Sequence, residues 1–83
     1  MFIPPEIEQY CIDLVNVHEG IIGKHLLLLM GSKFLNADSK RLRQVPAALA
    51  LEGKIVEIEY LIPGRASQSL FLPKGTEVRS GKS

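Results

Sequence analysis

Apolar residues recur near the start of the chain at the spacing of a helix: Ile7, Tyr10, Cys11, Leu14 and Val15 stand at i, i+3, i+4, i+7 and i+8, one stripe of a 3.6-residue period. Pro4 and Pro5 precede the stripe, and Glu6 and Glu8 fall in its first turn with the charge sign that a helix N-terminus favours. The pattern predicts a helix from about Pro5 to His18, ended by Gly20. Ile21-Ile22, between Gly20 and Gly23, is too short for a helix and reads as a β-bridge or extended link. A second helix is expected from Lys24 to about Met30 with Gly31 as a left-handed cap. Its apolar run from Leu26 to Met30 predicts burial on most sides. Phe34 and Leu35 are expected to tuck back into the core from the polar stretch around them.

Asp38 or Ser39 can cap a third helix, because either side-chain oxygen can accept from the free amides of a first turn. Leu42, Val45 and Leu49 repeat the helical stripe, and Gly53 closes it. Pro46 is discordant there: it either kinks one long helix or marks the first turn of a shorter one from Pro46 to Glu52. From Lys54 the period changes to two, with Ile55, Glu57 and Glu59 on one side and Val56, Ile58 and Tyr60 on the other. Pro63-Gly64 signals a turn, after which Ser69 to Leu72 should return as an antiparallel partner that Pro73 ends. The central set Leu14, Leu42, Leu49 and Ile55 is expected to be mutually buried.

Eighty-three residues, 46% of them apolar and 23% charged, suit one small globular domain that buries roughly 60 to 65% of its unfolded surface. The expected division is a domain over residues 1–73 and a flexible C-terminal tail over 74–83. A single cysteine, Cys11, permits no internal disulfide, and no Cys/His cluster has zinc spacing. No cofactor or metal is expected. A five-residue apolar run falls far short of the roughly twenty needed to span a bilayer, so no membrane partner is expected. The single cysteine favours a reducing compartment, the cytoplasm or, in a eukaryote, the nucleus.

The net charge of +1 conceals a segregated pattern. Residues 1–23 hold Glu6, Glu8, Asp13 and Glu19 with no Lys or Arg, whereas residues 24–48 hold Lys24, Lys33, Lys40, Arg41 and Arg43 against Asp38 alone. Acidic Glu52, Glu57 and Glu59 then precede a second basic block of Arg65, Lys74, Arg79 and Lys82. Such runs also serve simply to keep a surface solvated.

The order helix, short strand, helix, turn, helix, strand, turn, strand resembles the winged helix-turn-helix superfamily across about residues 5–73. Leu49, Pro46 or Val45, and Leu42 stand four, seven or eight, and eleven positions before Gly53, and Lys54-Ile55-Val56 then opens a strand, as at the end of a winged-helix third helix. Pro46 and the long turn before the third helix depart from the pattern. The resemblance implies an α+β fold of three helices with a C-terminal two-stranded β-hairpin wing. It also implies a third helix that enters the major groove of duplex DNA, with a role in transcription or replication.

In that arrangement Lys40, Arg41, Arg43 and Gln44 lie on the exposed face and early turns of the third helix. Arginine suits guanine N7/O6 and glutamine suits adenine N6/N7, while Lys33 and Lys40 can neutralise phosphates. Ser32, Asn36 and Ser39 can add backbone contacts. Arg65, Ser67 and Gln68 on the wing can reach a phosphate or the minor groove. Glu57 and Glu59 would repel phosphate and are expected to point away, and Glu8 on the acidic first helix is expected to be neutral to binding. The alternative is a protein-interaction module within a larger assembly, docking or homodimerising through the first helix, because the same scaffold serves both purposes.

Enzymatic readings find little support. Cys11 and His18 share a helix face but stand about 10.5 Å apart along it, too far for a nucleophile and its base. A core thiol and a helix-end histidine explain them better, and His25 reads as a boundary residue. Gly81-Lys82-Ser83 lacks both the upstream glycine and the following helix of a phosphate loop.

Overall fold

The computed structural model describes residues 2–77; Val78 to Ser83, most of the expected tail, lie outside the described residues. The first helix, α1 (Pro5–His18), forms where its apolar stripe was expected, with proline in the first turn and the Ile7 and Glu8 amides donating to the Pro4 carbonyl. Its last residue is His18, as expected. Glu19 takes the left-handed conformation, at φ 53°, and the Gly20 amide donates back to Val15. Gly20 is needed for another reason: at φ 129° it swings the chain directly into a strand, and a Cβ there would lie 2.8 Å from Leu72 Cδ2.

That strand is β1 (Ile21–Ile22), and the second helix, α2 (Gly23–Lys33), follows without a loop. It runs three residues further than expected, so Gly31 is an interior residue and not a left-handed cap. Leu26 and Met30, one turn apart and both fully buried, anchor the helix on the core. Their packing outweighs the roughly 1 kcal/mol that an interior glycine costs. The run is buried on most sides, with Leu27 and Leu29 packed against the core beside Leu26 and Met30, and only Leu28, on the opposite side, is exposed, at 68%. Beyond the helix, Phe34 turns in and meets the Tyr10 ring edge-on at 5.4 Å, but Leu35 stays 82% exposed. A four-residue link between Phe34 and Ser39 leaves only one of the two side chains able to reach the core.

The third helix, α3 (Ser39–Leu51), is capped by Asp38, whose Oδ1 accepts the Lys40 amide at 2.9 Å. It passes unbroken through Pro46, which is buried with Leu42, Val45 and Leu49. Proline sacrifices one backbone bond there, and the buried ring helps fill the interface that holds the helix together. Gly53, at φ 78°, ends the run, and the Lys54 amide donates to the Leu49 carbonyl at 2.9 Å.

Strands β2 (Ile55–Tyr60) and β3 (Gln68–Pro73) pair antiparallel in an unbroken register from Ile55 opposite Pro73 to Tyr60 opposite Gln68. Pro63-Gly64 makes the turn between them, with Gly64 at φ 77° and the Arg65 amide donating to Ile62. The hairpin is not a separate two-stranded wing. Ile21 and Ile22 pair with Phe71 and Leu70, giving a three-stranded antiparallel sheet in the order β1-β3-β2. Two residues are enough for a ladder because Gly20 lets the chain lie against β3. The protein is thus an α+β fold of three helices and a three-stranded sheet, compatible with a winged-helix arrangement. No helix among the described residues is long and apolar enough to cross a membrane.

The core gathers Cys11 and Val15 from α1, Ile21 from β1, Leu26 and Met30 from α2, Leu42, Val45 and Leu49 from α3, Ile55 from β2 and Phe71 from β3. Leu14, expected among the buried set, only packs against its margin. At the surface, Lys54 closes the junction of α1, α3 and β2: Nζ lies 3.0 Å from Glu8 and 3.2 Å from Glu52, and these contacts, Glu8 first, raise its pKa above the ordinary lysine value.

Burial pushes the Cys11 thiol from 9.0 up to about 12, so at neutral pH it is protonated as well as inaccessible. The folded state holds this proton more tightly than the unfolded chain does. The resulting stability is therefore complete below about pH 9 and is lost as the pH rises from there toward about 12. Iodoacetamide at pH 8 should label the native protein only as fast as it opens, and the urea-unfolded chain at once. Equal labelling rates, followed by mass spectrometry, would contradict a buried Cys11.

Candidate nucleic-acid interface

The packed stripe of α3 decides what its outer surface carries. With Leu42, Val45, Pro46 and Leu49 turned inward, Lys40, Gln44 and Leu51 form an exposed row at i, i+4 and i+11, flanked by exposed Arg41 and Arg43. The two arginines lie on opposite flanks, because two helical steps separate them by about 200° around the axis.

On one flank, Arg43 lines a hollow of about 400 Å³ between α3, the start of α2 and the sheet, together with Lys24, Glu57, Ser67, Gln68 and Ser69. Arg43, Ser67 and Gln68, from opposite ends of the predicted set, are brought together here. Lys24 joins them although the sequence did not single it out. Lys24 reads only as the first residue of the second helix, and only the three-stranded sheet brings the start of α2 beside the wing. Gln68 accepts a hydrogen bond from the Tyr60 hydroxyl at 3.0 Å, which fixes its carboxamide.

Glu57 overturns an expectation. It lines the same hollow as Arg43 instead of pointing away, and its carboxylate accepts from the Ser69 hydroxyl at 2.9 Å. Alternation puts it on the face of β2 that carries Ile55, and this is the face turned toward the helices. Glu59, two residues on, is exposed and accepts from Ser67 at 3.5 Å. The groove is of mixed charge, with Lys24 and Arg43 facing one acid.

On the other flank, Arg41 and Gln44 line a separate hollow of about 750 Å³ with Asn36, Asp38 and the N-terminal Phe2 and Pro4. Ser39, Lys40 and Arg65 are exposed and border neither hollow. Lys33 closes α2, where its ammonium sits 5.8 Å above the Tyr10 ring. It is an α2 residue and not part of the turn before α3. The nine predicted residues therefore form two clusters on either side of α3, with three cations and one hydroxyl lying outside both, and no single pocket.

Among the described residues only Lys54 makes an ion pair. Lys24, Lys40, Arg41, Arg43 and Arg65 are exposed and carry their charge without an acidic partner within 4 Å among the described residues. The apolar stripe of α1 faces the core, with Cys11 and Val15 fully buried and Ile7, Tyr10 and Leu14 packed around them, while Val17 and the preceding Phe2 stay 77% and 82% exposed. No group of three or more His, Cys, Asp or Glu is placed to hold a metal ion among the described residues. His18 donates from Nδ1 to the Leu14 carbonyl, and its ring lies 6.3 Å from that of His25.

Comparison of the chain with protein-family models, with curated proteins and with solved structures finds no match.

Proposed function

We propose that the protein is a winged-helix nucleic-acid-binding protein that lays α3 in the major groove of duplex DNA and sets the β2–β3 turn against the backbone. The observation that carries this reading is the set of exposed cations on α2, α3 and the β2–β3 turn that have no acidic partner among the described residues. A merely solvated surface has no need to keep them unpaired around one exposed helix. Gln44 and the two arginines supply the bidentate groups that read base edges, and Lys24, Lys40 and Arg65 supply phosphate contacts.

Fluorescence anisotropy of a labelled duplex, titrated at several salt concentrations, tests it. Binding should be present at low salt and log K should fall linearly with log salt, by about 0.9 per neutralised phosphate. Arg65→Ala should weaken all sequences alike and reduce the slope by about one. Absence of binding to duplex or single-stranded DNA or RNA up to about millimolar protein at low salt overturns the reading, since even non-specific contact is stronger than that.

A further inference from the structure

The strand order β1-β3-β2 leaves the far edge of β2 without a strand partner among the described residues. An open edge presents unpaired backbone amides and carbonyls, and natural sheets usually blunt it with proline, lysine, a bulge or shortness. β1, at the opposite edge, is blunted by its two-residue length. β2 has no proline, lysine, bulge or shortness: its six residues, Ile-Val-Glu-Ile-Glu-Tyr, pair with β3 in a continuous register, and the charges of Glu57 and Glu59 are what guard its edge against like-charged strands.

Its two faces differ sharply. The face away from the helices carries Val56, Ile58 and Tyr60, continued across the ladder by Leu72 and Leu70 and then by Ile22, none of which belongs to the core or packs against it. The other face carries Glu57 and Glu59, both exposed and neither in an ion pair among the described residues. A second copy fits this edge poorly. Two-fold antiparallel pairing centred on Ile58 sets Glu57 opposite Glu59 of the second copy, and pairing centred on Glu57 sets two Glu57 side chains opposite each other. Like charges in direct register destabilise a ladder.

We infer that the free edge of β2 binds an extended segment of a partner protein in which basic and apolar residues alternate, added to the sheet as a fourth strand. The basic residues stand opposite Glu57 and Glu59, and the apolar ones extend the stripe of Val56 and Ile58. A hollow lined by Ala50, Leu51, Val56, Glu57 and Lys74 beside the start of β2, with Leu51 91% exposed, seats a further apolar side chain, and Lys74 excludes a basic one there. This surface shares Glu57 with the Arg43 hollow of the nucleic-acid reading, whereas Val56, Ile58 and Glu59 do not line that hollow, so binding through the edge amides is read separately from duplex binding.

The probe is a twelve-residue peptide of alternating lysine and valine, compared with its glutamate-valine counterpart and with two forms N-methylated at all lysines or at all valines. Amide shifts of ¹⁵N-labelled protein should move along β2 with the lysine peptide and not with the glutamate peptide. Amides alternate sides along a strand, so one N-methylated form should lose about tenfold or more in affinity and the other should bind as the parent does. Glu57→Gln with Glu59→Gln keeps acceptors for Ser69 and Ser67 while removing the charge, and should weaken the lysine peptide by about two- to thirtyfold. Circular dichroism establishes that this variant is folded. Equal binding of the acidic and basic peptides, or of both N-methylated forms, overturns the inference, the second because the contact is then one of charge alone.

Discussion

Replacing Leu49 by alanine is expected to lower the unfolding free energy by about 2 to 5 kcal/mol. Leu49 is fully buried in the middle of a core to which all three helices and all three strands contribute, so little can collapse into the space its side chain leaves. Its carbonyl also receives the Lys54 amide that turns α3 into β2, and a shift of this turn of helix would disturb the entry of β2 into the sheet. A domain of this size has only about 5 to 15 kcal/mol in total. Urea unfolding followed by circular dichroism measures the loss. Leu51→Ala is the internal comparison: two residues further on, Leu51 is 91% exposed, and its truncation should change stability by no more than about 0.5 kcal/mol. A loss below about 0.5 kcal/mol for Leu49 itself would mean that α3 packs through another face.

Much of this core was legible because local and tertiary signals agree. The stripes of α1 and α3, a cap at Asp38 or Ser39 and the change to a two-residue period from Lys54 each follow from residue type and spacing, and the structure has them there, with Asp38 as the cap and the strand from Ile55. What escaped depended on partners distant in sequence. Gly31 reads as a stop signal, yet buried Leu26 and Met30 carry α2 past it. Ile21-Ile22 reads as a link, and its promotion to a strand needs Phe71 and Leu70, about fifty residues on.

The same limit applies to the candidate interface. Helical phase alone exposes Lys40, Arg41, Arg43 and Gln44. Whether Arg43 meets Ser67 and Gln68, and meets Lys24 and Glu57 as well, is decided by how the sheet packs on α2 and α3. Periodicity showed that Glu57 shares a face with Ile55, but not that this face borders the basic helix.

Under the nucleic-acid reading, Arg43→Ala should weaken duplex binding by about 1 to 3 kcal/mol and relax preference at one base position. Arg41→Ala should do the same at a different position. The two effects should add within about 0.5 kcal/mol, because the side chains lie on opposite flanks of α3 and line different hollows. Glu57 supplies a test of opposite sign. Its carboxylate shares the Arg43 hollow, so Glu57→Gln, which keeps an acceptor for Ser69, should tighten duplex binding by about twofold to fivefold at low salt, the value of one exposed charge interaction. Glu8 is unsuitable as the neutral control because its removal would take from Lys54 one of its two acidic partners and leave it only Glu52. Glu6, exposed in the first turn of α1, serves instead, and Glu6→Ala should leave the affinity unchanged. Anisotropy titrations on one duplex decide among these outcomes: losses at both arginines with a gain at Glu57 place the nucleic acid over α3 and its groove, whereas equal, small changes at Glu6, Arg41, Arg43 and Glu57 reduce the contact to net charge and remove α3 as a reading helix.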